Sequence, residues 1–101
     1  MDIQLTTDVE DFVHSLESST IAKILRTIDL LEHFGHRLGM PHSKKMRDGF
    51  FELRIRGRQE VRIFYIFSHG KALLVHAFIK KSQKTPQKEL KLALSKILSL
   101  T

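Results

Sequence analysis

A switch to β-strand periodicity in the middle of the chain constrains the fold more than any other sequence feature. Phe51, Leu53 and Ile55 alternate with polar residues, which is the period-two pattern of a strand with one buried face. The next run is apolar on both faces except at Arg62, as expected of a central strand covered on two sides. A third apolar run follows, and short turns separate all three, so we expect a three-stranded antiparallel meander. The runs are residues 50–56, 61–67 and 72–79, with turns at residues 57–60 and 68–71.

Two amphipathic helices are predicted before this meander. The first runs from Asp8 to about Ser15. The second has apolar residues at three- and four-residue spacings, begins at a hydroxyl cap within residues 18–20, and ends near Gly35. We expect the two helices to form a helical hairpin whose apolar inner face packs on the sheet.

The remaining segments complete the predicted topology. Asp2–Leu5 is a candidate for a short fourth strand, and residues 39–49 are interpreted as a loop because they contain a proline and an Asp-Gly turn signal. Thr85 and Pro86 suit the N-cap and first position of a last helix that packs through Leu98 and the apolar residues before it. The predicted fold class is α+β: an N-terminal helical hairpin on a small antiparallel sheet of three to four strands, with a C-terminal helix, in one domain over residues 1–101.

Charge is the feature of the composition that bears most directly on function. The net charge of +6 is unevenly distributed: residues 1–40 carry −4, residues 41–88 carry +9, and the rest carries +1. A phosphate backbone complements such a basic stretch. The absence of cysteine excludes disulfides and thiolate chemistry. No apolar run approaches the ~20 residues of a membrane span, and no signal peptide is visible, so we expect a cytoplasmic protein without membrane contact.

Basic side chains of the middle stretch are predicted to meet at one end of the sheet, where strands begin and end. A cluster of cations with only Glu52 and Glu60 nearby is unfavourable for stability and suits a surface that faces an anion. The alternative is a surface network in which Arg56 and Arg62 pair with these two carboxylates. We expect Arg62 to lie near a strand end rather than in the core, and so to be replaceable with little loss of fold. The predicted cluster contains Arg54, Arg56, Arg62, Lys80, Lys81 and Lys84.

An Arg/Lys site of this kind can act on RNA without a metal or a cofactor. The 2′-OH attacks the neighbouring phosphate and leaves a cyclic phosphate, while arginines clamp the phosphate oxygens. A lysine among cationic neighbours can serve as acid or base. His76 shares the strand face of Phe78 and Lys80 and is a second candidate for proton transfer, the alternative being a hydrogen-bonded core histidine. His33 and His36 lack further ligands nearby, so no metal site is expected.

Three segments in this order resemble the RelE/ParE toxin superfamily. They read FELRIR at residues 51–56, VRIFY at residues 61–65, and HAFIKKSQKTP at residues 76–86. Together with the lead-in at residues 30–49, they are most similar to the phage-derived, HigB-like branch, over about residues 8–90. The resemblance implies a RelE-like (microbial-RNase-like) fold and a toxin of a type II toxin–antitoxin system. Such toxins are typically ribosome-dependent, metal-independent mRNA endoribonucleases (mRNA interferases) that cut mRNA in the ribosomal A site and inhibit translation.

The resemblance also implies roles for individual residues and a set of partners. Arg62 matches the phosphate-clamping arginine at the start of the middle strand. The family often carries a catalytic tyrosine near the last helix, whereas here Thr85-Pro86 occupies that region and the only tyrosine, Tyr65, lies within a strand. The implied partners are mRNA, the ribosome and a cognate antitoxin, a small helix-turn-helix protein through which the complex binds promoter DNA. The candidate catalytic residues are Arg62, Lys80, Lys81, Arg54 and His76, and the candidate RNA-binding residues are Arg56, Lys84, Arg47, Lys44, Lys45 and Arg58.

Two other functions remain open at this stage. A ParE-like poison of DNA gyrase would share the fold and cleave no RNA, because a fold does not determine a function. A non-catalytic RNA-binding module, or a toxin that has lost activity, would show salt-dependent RNA affinity without cleavage. The crowded Arg/Lys cluster favours the nuclease, since gyrase poisoning has no need of one.

Overall fold

Five strands form one sheet in the order β1-β5-β4-β3-β2, and three helices pack on its two faces. The computed structural model describes residues 1–100. Neighbouring strands from β2 to β5 are antiparallel, whereas β1 pairs with β5 in parallel. The strands are β1 (Asp2–Leu5), β2 (Ser43–Lys45), β3 (Phe51–Ile55), β4 (Val61–Ser68) and β5 (Lys71–Ile79), and the helices are α1 (Thr7–His14), α2 (Ser18–Phe34) and α3 (Gln87–Leu98).

The predicted meander is confirmed. Ile63 of β4 pairs with Leu53 of β3 on one side and with Ala77 of β5 on the other. Strand β4 is the middle strand of the sheet, and its consecutive residues Ile63, Phe64 and Tyr65 are all buried. Burial of adjacent residues means that both faces of this strand are covered, because successive side chains point to opposite faces.

The predicted strand count is too low. Asp2–Leu5 does form a fourth strand, but a fifth, β2, lies within residues 39–49, where a loop was expected. Strand β2 has only three residues, and its one buried side chain is Ser43, whose hydroxyl shares a 2.5 Å hydrogen bond with the Tyr65 hydroxyl. A strand held by backbone pairing and one polar contact has no alternating apolar pattern, so the usual sequence signal is missing.

The larger core lies between the sheet and the two N-terminal helices, with α1 against β5 and α2 against β3. Helix α2 ends at Gly35, as predicted, with a positive φ of 54° that favours glycine. The predicted hydroxyl cap is wrong, because Glu17 occupies the N-cap position and makes no side-chain capping bond. The buried residues of this core are Val9, Val13, Ile24, Leu31, Leu53, Ile55, Val61, Ile63, Tyr65, Ala72 and Leu74.

A smaller core lies on the opposite face, under α3. It consists of Phe50, Phe64, Phe78 and Ala93, with partly buried neighbours along the helix. Leu98 was predicted on the packed side of α3 but is 71% exposed, because the helix ends there. Since this cluster is small, part of the sheet face beside it is left to polar residues. Within residues 1–100, no helix has the length and apolarity needed to cross a membrane.

The predicted start of α3 is also wrong in detail. Pro86 occupies the N-cap position, and none of the described side chains caps the helix. The hydroxyl of Thr85 instead donates a hydrogen bond to Oε2 of Glu52, 3.2 Å away on β3. The hydroxyl that the sequence assigned to local capping therefore makes a tertiary contact.

Candidate functional site

A polar cleft of about 510 Å³ opens where β3 ends, β4 begins and β5 ends. Antiparallel pairing brings these three strand ends together at one end of the sheet, as the sequence predicted. Four of the seven lining side chains are cationic and one is acidic, so the cleft is electropositive. Its lining residues are Arg56, Glu60, Arg62, Lys80, Lys81, Ser82 and Gln83.

Arg62 forms the buried wall of the cleft. Its side chain is only 3% exposed, so the expectation that it lies outside the core is wrong. Nη1 donates hydrogen bonds to Oε2 of Glu60 at 2.8 Å and to the carbonyl of Val61 at 3.2 Å. Nε is buried without a hydrogen-bond acceptor in residues 1–100, so the guanidinium is incompletely satisfied.

Glu52 is the residue that sequence reasoning undervalued. It is 1% exposed, and its Oε1 accepts a hydrogen bond from Nε of Arg54 at 3.0 Å and lies 3.7 Å from Nε of Arg62. Together with the bond from Thr85, this carboxylate joins β3, β4 and the segment before α3. The network resembles the alternative interpretation, but it is buried, and Arg54 takes the place assigned to Arg56. An acid two residues before an arginine on one strand face was the available signal.

The other cations of the cleft are less constrained. Lys80 donates from Nζ to the carbonyl of Gln83 at 2.9 Å, and its backbone N–H donates to the carbonyl of Glu60 at 2.7 Å. Arg56 and Lys81 are exposed, and neither forms an ion pair within the described part of the chain. The cleft thus combines one fixed, buried guanidinium with two cations that are available to a ligand.

His76 lies under α3 rather than in the cleft. Its imidazole is buried, as is the Phe78 ring, which stacks against it with 6.0 Å between centroids. Nδ1 lies 2.9 Å from Nζ of Lys96, and Nε2 lies 2.7 Å from Oε1 of Glu89, so both ring nitrogens have a hydrogen-bond partner on α3. This is the environment of a hydrogen-bonded core histidine. His76 is therefore not among the residues that line the cleft.

The remaining predicted residues are distributed around the cleft rather than inside it. Lys84 is exposed in the loop that follows the lining residues, and Arg58, 85% exposed, pairs with Glu17 at 3.7 Å in the loop between β3 and β4. Arg54 lines a separate groove at the edge of β3. Of the predicted RNA-binding set, only Arg56 lines the cleft. Lys44 and Lys45 lie on β2, an outer strand of the sheet, and Arg47 lies in the turn before β3. All three are exposed.

The one tyrosine is remote from this chemistry. Tyr65 is fully buried on the face packed against α1 and α2, and its hydroxyl bonds to Ser43. Burial raises the pKa of the Tyr65 phenol, and the hydrogen bond with Ser43 partly offsets that shift. The phenol therefore supplies neither a base nor a stacking surface to the cleft.

The fold and site define a small α+β domain with a basic cleft at the end of an antiparallel meander. Residues 11–97 match the model of the family described as phage-derived protein Gp49-like (DUF891), and the chain belongs to this family. No curated protein matches the chain. Its fold is similar to that of a chain in a solved structure, the crystal structure of the heterotetrameric YoeB–YefM toxin–antitoxin complex from Staphylococcus aureus. That similarity has a TM-score of 0.55 and 16% identity, over 73% of this chain and 90% of the other.

Proposed function

We propose that this protein is the toxin of a type II toxin–antitoxin system, in the HigB-like branch of the RelE/ParE superfamily, and a ribosome-dependent, metal-independent mRNA endoribonuclease. The observation that carries the proposal is the cleft, where Arg56, Arg62 and Lys81 converge at three strand ends. Family membership and the fold similarity to a chain of a toxin–antitoxin complex support the toxin role. Single-stranded RNA is the polyanion that such a cleft could both hold and cut.

In the proposed reaction, the 2′-oxygen of one nucleotide bonds to the adjacent phosphorus while the bond to the 5′-oxygen of the next nucleotide breaks. The products are a 2′,3′-cyclic phosphate and a free 5′-hydroxyl. One proton leaves the 2′-OH, and one is delivered to the departing 5′-oxygen. Arg62, held by Glu60 and Glu52, is already oriented before RNA enters, which is the arrangement that best stabilises charge developing on phosphate oxygens. Lys80 and Lys81 are the candidates for proton transfer from within the cleft.

The proposed partners follow from the same surface. A cognate antitoxin, which we propose to be a small helix-turn-helix protein, would neutralise the toxin by covering or distorting the basic cleft. Promoter DNA would be bound by the complex, through the antitoxin. The mRNA would be presented in the A site of the ribosome in the cytoplasm.

The test is induced expression in a bacterial host, with primer extension on an abundant mRNA. Because Arg62 is buried, the more informative variant is Arg56→Ala/Lys81→Ala, whose two side chains are exposed and make no ion pair in residues 1–100. We expect growth arrest and cuts within translated codons for the native chain, and loss of both for this variant. Lys71→Ala, at the opposite end of β5, is the matched control and should remain toxic.

The possible outcomes separate the candidate functions. Growth arrest without mRNA cuts would contradict the nuclease and point to gyrase or another target. An Arg56→Ala/Lys81→Ala variant that cuts mRNA as well as the native chain would contradict the site. If the native chain neither arrests growth nor cuts mRNA but binds RNA, it is a non-catalytic binding module.

A further inference from the structure

A second groove, of about 320 Å³, lies at the edge of the sheet between α2 and β3. Arg56 lines both this groove and the cleft, so the two are neighbours along one basic surface. None of the groove's lining residues is acidic. They include the cations Lys23, Arg26, Arg54 and Arg56 and the apolar residues Leu30 and Ile55.

The groove exists because β2 covers only part of its neighbour. Strand β2 pairs with β3 as far as Leu53, and the N–H of Arg54 still donates to the carbonyl of His42 at 2.8 Å. Beyond that bond, no strand within residues 1–100 covers the outer edge of β3, and α2 forms the opposite wall. The buried side chain of Ile55 contributes to an apolar floor, and His42 adds a planar ring.

Lys23 lies at the junction between the groove and the loop that leads to the cleft. A Cβ placed on Gly57 would lie only 2.6 Å from Nζ of Lys23, so the ammonium group rests directly against the backbone of residue 57. This close approach places a cation from α2 beside Arg56, the residue common to both surfaces. A methyl group at position 57 would displace that ammonium group without changing the net charge.

We propose that this groove binds the nucleotide next to the one held in the cleft. Lys23, Arg26 and Arg56 would contact its phosphate, and its base would rest on the apolar floor beside His42. This inference rests on the proposed function, since it takes RNA to be the ligand of the cleft. Cations combined with apolar and planar side chains are typical of single-stranded RNA sites, and the volume suits one nucleoside-sized group.

The test measures binding and needs no cleavage. A fluorescein-labelled hexaribonucleotide with 2′-O-methyl groups, which cannot undergo 2′-OH attack, is titrated with the purified protein at several salt concentrations. For Lys23→Ala/Arg26→Ala we expect about tenfold weaker binding and a salt dependence reduced by about one phosphate contact. Lys88→Ala/Lys91→Ala is the matched control, because these exposed lysines have the same three-residue spacing on α3, and its affinity should change far less.

Two further measurements sharpen the assignment. Gly57→Ala keeps every charge but displaces Lys23, so we expect binding weaker by about twofold to threefold. In a series of hexamers with one abasic position each, one position should weaken binding to the native chain. Loss of the base at the same position should weaken binding to Lys23→Ala/Arg26→Ala by a smaller factor.

Equal affinity of Lys23→Ala/Arg26→Ala and its control would overturn the inference. If that variant instead lost binding to an acidic antitoxin segment while keeping RNA affinity, the groove would be assigned to the antitoxin. Failure of the proposed function looks different: the native chain would cut no mRNA in cells, yet the groove variant would still bind the hexamer more weakly than its control.

Discussion

The two faces of the sheet bury different kinds of side chain. The face under α1 and α2 buries a continuous apolar core, in which the polar groups are uncharged: the hydroxyl pair of Ser43 and Tyr65, and Thr20 and Thr27 of α2. The opposite face buries four apolar residues under α3 and, beside them, the ionisable side chains of Glu52, Arg62 and His76. Burial of charge costs free energy unless it is paired, whereas apolar burial is favourable in itself. Burial on the first face therefore favours folding directly, whereas the second face buries charged groups at a cost that their pairing must offset.

The largest expected effect on stability comes from a substitution at the centre of the charged face. Glu52→Ala leaves Arg54 and Arg62 without their shared carboxylate and Thr85 without its acceptor. We expect a loss of about 4 kcal/mol in the free energy of unfolding, measured by urea denaturation, because a buried carboxylate with three partners is removed and the buried Arg62 is left with Glu60 as its acidic partner. Glu52→Gln keeps the shape and an acceptor and should lose less. A Glu52→Ala variant as stable as the native chain would show that Glu60 alone is enough to pair the buried Arg62.

A smaller effect is expected from a cavity in the apolar face. Leu31→Ala removes a fully buried side chain of α2 and should lower the free energy of unfolding by about 3 kcal/mol. Leu31 is a lining residue of neither the cleft nor the groove, so the folded variant should bind RNA with unchanged affinity. Leu25→Ala, on the exposed side of the same helix, is the control. Weakened RNA binding by the folded Leu31→Ala protein would contradict the separation of the two faces.

The smallest effect concerns the one titratable group within the apolar face. Because burial raises the pKa of Tyr65 above the unfolded value of 10.0, the unfolded chain releases the phenolic proton first as pH rises. Stability should therefore be unaffected below about pH 10 and fall above it. Urea titrations from pH 8 to pH 11 should show a steeper loss for the native chain than for Tyr65→Phe. Identical slopes for the two proteins would mean that the phenol ionises in the folded state as easily as in the unfolded chain.

The sequence predicted the apolar face better than the charged one. Period-two and helical spacing are strong signals for Leu53, Ile63 and Leu31, because each follows from where a single element turns its side chains. The charged face depends on groups from separate segments. That Thr85 would bond to Glu52, or that Arg62 would be enclosed, follows from tertiary packing and leaves no trace in local spacing.

The candidate site was predictable in part for the same reason. Antiparallel pairing of three consecutive strands dictates that Arg56, Arg62 and Lys80 lie together at one end of the sheet. It does not dictate which of them is buried, or that α3 hides His76. Strand β2 was not predicted because its buried residue is a serine. The groove beyond the end of β2 was not predicted either, because it depends on where that strand stops.

The parallel pairing of β1 with β5 has a consequence for the order in which the molecule is assembled. Ile3 pairs with Ala72, so the first strand to leave the ribosome must wait for the last one before it can join the sheet. Contacts of such long sequence separation are slow to form, because a long loop must close first. The residues at 80–83 that line the cleft emerge later still. During synthesis, the nascent chain therefore lacks the complete basic cleft until most of it has been translated.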